Sequence, residues 1–210
     1  MGGGIAVLDY GIGNLASAHK ALVHLGAEAR LVSDAADAAG AGGVVLPGVG
    51  AFGRCATALR QSGLEPVVRR AVDSGTPFLG ICVGFQLLYE WSDESPGVSG
   101  LGVLPGRVRA LPPGVKRPQM QWNQLVRRPA TTSALLAGVP DRAWVYFVHS
   151  YAPEPTAEVV ATCDYGDEIV AAVERGPLWG TQFHPEKSGE LGLGILANFV
   201  AACGAARRAG

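Results

Sequence analysis

Cys82 lies in Gly80-Ile81-Cys82-Val83-Gly84, directly after the apolar run Thr76-Pro77-Phe78-Leu79 and directly before Phe85-Gln86-Leu87-Leu88-Tyr89-Glu90-Trp91. A strand that turns sharply into a helix needs glycines on both sides of the turn, because a side chain there would collide with strand or helix as the chain reverses. The spacing therefore predicts a nucleophile elbow. The sulfur is exposed at the carboxyl end of a strand, and the first N–H groups of a helix point at whatever reacts there. Positive potential at a helix start favours thiolate over thiol. A buried packing thiol, the ordinary fate of a cysteine, would not require both glycines.

A cysteine nucleophile needs a base and a group that holds the base in place. Of His19, His24, His149 and His184, the last stands apart because it sits in Phe183-His184-Pro185-Glu186 at the end of a strand-like run. Pro185 biases His184 toward extended geometry. In an extended backbone alternate side chains share a face, so His184 and Glu186 are expected to point the same way. The carboxylate then fixes the imidazole tautomer and stabilises the imidazolium, as in a catalytic triad. Cys82, His184 and Glu186 make a complete acyl-transfer set. His149 competes for the base role but has no acid at matching spacing, and His19 and His24 fall in the first expected helix.

Acyl transfer also places negative charge on an oxygen as the carbonyl becomes tetrahedral. The elbow supplies one donor, the backbone N–H of Val83. Pro47-Gly48-Val49-Gly50, a turn directly after the run Val44 to Leu46, supplies a second if that strand neighbours the elbow; a simple tight turn is the equal alternative. Each such donor is typically worth roughly 10²- to 10³-fold in turnover. Gly11-Ile12-Gly13-Asn14 begins like a dinucleotide fingerprint but lacks its third glycine, so a nicotinamide site is rejected.

The elements that must position these residues alternate between strand and helix, which argues for a layered α/β fold with an open, mostly parallel sheet and helices on both faces. Strands are expected over 5–9, 27–32, 44–46, 77–81, 143–149, 159–164, 170–173 and 178–183, and helices over 15–25, around 54–61 and over 64–73. The run 85–91 continues the elbow as a helix. From about 97 to 130 glycine and proline become frequent, and Arg107 to Leu111 reads as part of a small antiparallel excursion from the main sheet. Ser188 is placed to cap a final helix over roughly 189–203, with Glu190 in its first turn.

Composition sets outer limits. A chain of 210 residues, 48% hydrophobic and 17% charged, buries a full core as one domain spanning 1–210. A net charge of -1 gives no basis for a nucleic-acid or polybasic membrane partner, and the arginine pairs at 69/70, 127/128 and 207/208 read as solvated faces or helix ends. No targeting signal is recognised, and no apolar run approaches a membrane span. Cys55, Cys82, Cys163 and Cys203 form no CxxC pair. Neither a metal site nor a dithiol motif is indicated, and a reducing cytoplasm fits best.

The elbow GICVGFQLL, the FHPEKSG segment and the PGVGAF turn resemble the class I (triad) glutamine amidotransferases. Within that class LDYGIGNLAS, FVHSY and MQWN resemble the glutaminase subunits of imidazole glycerol phosphate synthase, in histidine biosynthesis. The resemblance runs from about Ile5 to Phe199, with one departure at Gln121, where the family usually has glycine. It implies a flavodoxin-like fold, no cofactor, and hydrolysis of L-glutamine to glutamate and ammonia through a Cys82 thioester. Gln86, Glu94, His149, Ser150 and Tyr151 would contact glutamine; Gln86, one turn beyond Cys82, is also placed near it by helical spacing. The implied partner is a cyclase subunit with a (β/α)₈ barrel, forming a heterodimer, with Asn14, Trp122, Tyr146 and Lys187 at or near the interface. The glycines of the PGVG turn would let a peptide flip and switch the oxyanion donor. Three other readings stay open. One is the glutaminase subunit of another class I amidotransferase, a second a stand-alone γ-glutamyl cysteine hydrolase, and the third a non-catalytic flavodoxin-like binding module.

Overall fold

The computed structural model describes residues 3–129 and 131–209, with the side chains of 207–209, including Arg207 and Arg208, outside the description. In chain order the elements are β1 (Ile5–Leu8), α1 (Leu15–His24), β2 (Ala29–Val32), β3 (Gly43–Gly48), α2 (Phe52–Gln61), α3 (Glu65–Asp73), β4 (Phe78–Cys82) and α4 (Val83–Gln86). There follow β5 (Trp91–Ser92), β6 (Arg107–Ala110), β7 (Gln119–Arg127), β8 (Ala143–His149), β9 (Tyr151–Pro153), β10 (Val159–Asp164), β11 (Glu168–Arg175), β12 (Leu178–Thr181) and α5 (Gly189–Ala209).

Nine strands among the described residues form one sheet in the order β2-β1-β3-β4-β12-β11-β10-β7-β8. The first five run parallel, and from β12 onward each step is antiparallel. Strands β1, β3 and β4 are buried along their whole length, as continuous apolar runs in a parallel sheet covered on both faces must be. Neighbouring residues on a strand point to opposite faces, and β3 and β12 show what lies on each. A Cβ on Gly43 would meet Phe199 and Cys203 of α5, whereas Val44 lies beside Val67 and Ala71 of α3. Trp179 packs edge-on against Phe199, whereas a Cβ on Gly180 would run into the ring of Phe85 at 2.0 Å. Gly180 thus makes the recess in which Phe85 seats α4 on the sheet.

Four expectations need correction. The helix expected over 85–91 ends after Gln86, and Trp91–Ser92 is a short strand. The carbonyls of Leu87, Leu88, Tyr89 and Glu90 accept hydrogen bonds from Leu101, Leu104, Gly102 and Gly100, so the segment serves as a strip on which 100–104 docks. Gln119 to Arg127, read as part of a glycine- and proline-rich excursion, is a nine-residue strand of the main sheet. Its polar residues hid it. The excursion is the separate sheet β5-β6-β9, in which β5 and β6 run parallel and only β6 and β9 antiparallel. Finally, Gly189–Ala206 of α5 is long and apolar enough to span a membrane by length and composition alone, with mean hydropathy 1.4. Its Ile195, Leu196, Phe199 and Cys203 belong to the protein core.

Gln121 lies in ordinary register opposite Phe147, exposed, so the strand accommodates a side chain where the family usually has glycine. Arg69, its side chain 47% exposed, pairs with Glu65 at 2.7 Å and Arg128, 40% exposed, with Glu168 at 2.8 Å, so both lie on solvated faces and carry an ion pair there.

Candidate functional site

The elbow forms as its glycines demand. Cys82 ends β4 with φ 54° and ψ -112°, an uncommon backbone setting for a residue with a Cβ. A Cβ on Gly80 would lie 2.8 Å from the Cα of Phe85 in α4, and one on Gly84 would lie 1.9 Å from the Leu46 carbonyl oxygen of β3. Gly80 admits the helix and Gly84 admits the neighbouring strand. Because α4 has only four residues, the expected macrodipole of a long helix is replaced by a single turn of N–H groups.

Strand β3 pairs with β4, with Pro47 opposite Ile81 and Gly48 opposite Cys82, so the Pro47-Gly48-Val49-Gly50 turn does neighbour the elbow. Val49, Gly50, Cys82 and Val83 line one cavity. Two buried side chains hold the turn from behind. Tyr10 Oη donates to the Pro47 carbonyl at 2.7 Å, and Cys55 Sγ donates to the Val49 carbonyl at 3.3 Å. Burial pushes the Cys55 thiol up to about 11 and raises the Tyr10 phenol well above its usual range, which keeps both protonated as donors.

On the other side of β4, β12 runs parallel and delivers Gln182, Phe183 and His184 beyond its last pair, Thr181 opposite Ile81. His184 is extended, but Pro185–Lys187 is a turn of 3-10 helix. The imidazole and carboxylate therefore meet through a tight turn and not through strand alternation. His184 Nδ1 lies 2.8 Å from Glu186 Oε1, with both side chains about 2% exposed. Asn14, expected at the partner surface, reaches inward and donates to the same Glu186 oxygen at 3.4 Å. His184 Nε2 is buried and short of a formed hydrogen bond, in the wall of the cavity that Cys82 lines. Burial alone would lower the His184 pKa; the Cys82 sulfur and the Glu186 carboxylate override it and raise it to about 10.

The backbone around His184 is clamped as well. Its N–H donates to the Tyr146 carbonyl at 3.0 Å. Ser188 Oγ donates to the His184 carbonyl at 2.7 Å and accepts from the Tyr146 N–H at 3.0 Å. Ser188 was expected to cap α5 with its side chain; that hydroxyl instead ties β8 to the histidine, and only its carbonyl begins α5, accepting from Gly192.

The cavity, of about 230 Å³, is also lined by Gln86, Glu94, Pro118, Val148, His149, Ser150 and Tyr151. All five residues expected to contact glutamine are thus on its wall, and Pro118 and Val148 were not foreseen. A wider groove of about 660 Å³ between Arg109, Arg117 and Glu154 contains none of them. Glu94 has a second task the sequence did not show: its Oε2 accepts from the Phe52 N–H at 2.7 Å, while Ser95 Oγ accepts from Gly53. These two cap α2, whose own N-cap, Ala51, cannot.

His149 is held at both ring nitrogens, by the Tyr151 carbonyl at 2.9 Å and the Gln119 amide at 2.8 Å. Burial pushes it down to about 4, so the ring is neutral at pH 7. Nδ1–H donates to the Tyr151 carbonyl, which can only accept; a neutral ring then leaves Nε2 as an acceptor, so the Gln119 amide must turn from the placement in which its Oε1 faces Nε2. That turn puts the Gln119 oxygen, in place of its Nε2, toward Cys163 Sγ 4.0 Å away, whose thiol burial raises to about 12. Such a ring is a strut, and His184 alone has a nitrogen open to the sulfur's cavity.

Trp122 and Tyr146 pair across β7 and β8 and meet edge-on at 6.1 Å. With Met120 at 62% and Trp144 at 55% exposed, they make an apolar outer face at the edge of the sheet. Alternation on β8 puts Val148 on the same side, and Val148 reaches the cavity. Lys187 is exposed at the end of the 3-10 turn.

The family described as glutamine amidotransferase class-I matches residues 6–203, and the chain belongs to that class. Solved structures agree in fold. A glutamine amidotransferase crystal structure matches with TM-score 0.75 at 24% identity over 95% of this chain and 98% of that one. The structure of PurLQS from Thermotoga maritima matches with TM-score 0.74 at 22% identity over 96% and 99%. Curated relatives are nearer in sequence. The imidazole glycerol phosphate synthase subunits HisH of Synechococcus sp. (strain JA-3-3Ab) and Methanothermobacter thermautotrophicus are each 50% identical, over 93% of this chain and 92% and 97% of theirs. Within the class, the chain is a member of the HisH family.

Proposed function

We infer that this chain is the glutaminase subunit of an imidazole glycerol phosphate synthase, hydrolysing L-glutamine with Cys82 as nucleophile, His184 as base and acid, and Glu186 as its orienting carboxylate. One observation carries the roles: Cys82 and His184, a hundred residues apart, line one cavity, with Glu186 hydrogen-bonded behind His184. Family membership supports the activity.

The Cys82 proton passes to His184 Nε2, and the sulfur attacks the side-chain amide carbon of glutamine. The Val83 N–H and a peptide of the Gly48-Val49-Gly50 turn stabilise the oxyanion. His184 then protonates the nitrogen as the C–N bond breaks, releasing ammonia and leaving a thioester. Water, losing a proton to His184, attacks the thioester carbon; the C–S bond breaks with its electron pair on sulfur, and glutamate leaves. Gln86, Glu94, Ser150 and Tyr151 hold the amino acid, Glu94 facing its ammonium group, and His149 acts through Tyr151. No metal or cofactor takes part in these steps.

Ammonia is protonated in bulk water, so its use requires an enclosed route to an acceptor. The partner is a (β/α)₈ cyclase subunit in a cytoplasmic heterodimer, docked on Trp122, Tyr146, Lys187 and the rim near Asn14. The exposed Met120, Trp122 and Trp144 face supports this placement, since contiguous apolar surface marks interaction sites. The whole chain acts as one amidotransferase domain. The test is glutamine hydrolysis with and without the cyclase and its ligand, in wild type and Cys82→Ser. Partner-dependent ammonia release that Cys82→Ser abolishes is expected; release that survives the substitution refutes the assignment, and fast release without a partner favours a stand-alone hydrolase.

A further inference from the structure

We infer that Gln182 is a further member of the machinery at the nucleophile: its side-chain amide donates to the Cys82 sulfur and stabilises the thiolate. The inference rests on the reading of Cys82 as nucleophile.

Gln182 is fully buried, and its backbone N–H is fixed on the Ala171 carbonyl at 2.9 Å. Its Nε2 lies 3.7 Å from Cys82 Sγ, within reach for a donor to sulfur. The nitrogen and oxygen of an amide are told apart by their partners, and here the partners leave one assignment. The Tyr151 carbonyl can only accept. Gln86 Nε2 lies 2.8 Å from it, so that end of Gln86 is the nitrogen. The same nitrogen lies 3.0 Å from the Gln182 amide, which must meet it with oxygen. The Gln182 nitrogen is then the atom turned to the sulfur. A backbone carbonyl thus aims a side chain two links away.

The sulfur sits between opposite groups. The Val148 carbonyl, at 3.8 Å, suits a thiol that donates to it and repels a thiolate. Gln182 does the reverse. The distinction matters most when the thioester breaks down, because sulfur then departs with the electron pair of the C–S bond. A donor already in place needs no reorganisation at that moment. Gln182 and His184 both follow Thr181, the last paired residue of β12, at the strand end beside Cys82.

The test separates Cys82 ionisation from turnover. Alkylation of Cys82 by iodoacetamide is followed from pH 5 to 10 in wild type and in Gln182→Met, which keeps bulk and removes the donor, with folding checked by circular dichroism. Losing a donor to a charged acceptor should move the midpoint up by about one to two pH units, or slow alkylation at pH 7 roughly ten- to a hundredfold. An unchanged midpoint in folded Gln182→Met overturns the inference, because a packing role would alter melting and leave the midpoint in place. Should the variant not fold, the unaltered chain still decides: the Gln182 side-chain amide resonances should shift with the Cys82 midpoint and lose that shift in Cys82→Ser. Resonances that stay flat overturn it. Ammonia release that survives Cys82→Ser would defeat the nucleophile assignment itself, whereas an inactive Cys82→Ser beside an unmoved midpoint defeats only the role of Gln182.

Discussion

Glu186→Gln isolates the charge behind the histidine. Gln preserves the shape of the side chain and an oxygen for His184 Nδ1–H, so the 2.8 Å contact and the tautomer survive while the negative charge is lost. Both side chains are about 2% exposed, so solvent does not screen the change. A hydrogen bond to a charged group contributes about 1.5–3 kcal/mol against about 0.5–1.5 for a neutral one. The loss is therefore on the order of 1–2 kcal/mol, or about one pH unit. The imidazole, held at about 10 in the native chain, should titrate about one unit lower in the variant. Since the native value is raised above the unfolded one, the stability it contributes is fully present below about 6.5 and is lost as pH rises through about 10. The stability gap between wild type and variant should accordingly be widest on the acid side of that window and close toward its alkaline end. Histidine resonances followed by NMR across pH 5 to 11, with thermal melts at the same pH values, measure both. An unmoved or raised His184 midpoint in Glu186→Gln refutes the account of what sets it.

Three further outcomes are expected. Native chain treated with iodoacetamide at pH 7.5 should be modified at Cys82 and spared at Cys55 and Cys163, which burial raises to about 11 and 12; peptide mass mapping checks this, and equal labelling of Cys163 without denaturant would count against it. Gly84→Ala puts a Cβ 1.9 Å from the Leu46 carbonyl oxygen, backbone against backbone, so a loss of at least about 1–3 kcal/mol and of most glutamine turnover should appear in melting curves and assays. Trp122→Ala, removing an aromatic that is 47% exposed, should weaken cyclase binding about tenfold or more in a titration while leaving hydrolysis without the partner within about twofold, since the residue does not line the cavity that holds Cys82.

The elbow was legible because glycines at 80 and 84 have one geometric explanation, and the structure supplies the two obstructing backbones. The meeting of His184 with Glu186 was legible too, although the path was not: Pro185 opens a 3-10 turn where extended chain was expected. Phe85 to Trp91 has helical composition, and only the distant segment 100–104, which binds its carbonyls, ends the helix. Gln119 to Gln124 lacks an apolar rhythm, because one face of β7 looks outward and the other buries an amide against His149. Gln182 was missed for a related reason. An amide shows no chemistry until its partners are in place, and its nearness to His184 in the chain was the available signal.

The parallel pairing of β12 with β4 also makes catalysis a late event in the life of each molecule. The segment carrying the base is synthesised about a hundred residues after the one carrying the thiol, and only their lateral pairing sets the two at neighbouring strand ends. Until β12 pairs, Cys82 lacks the histidine proposed as its proton acceptor. On the proposed roles, glutamine turnover reports that β12 has found its place beside β4.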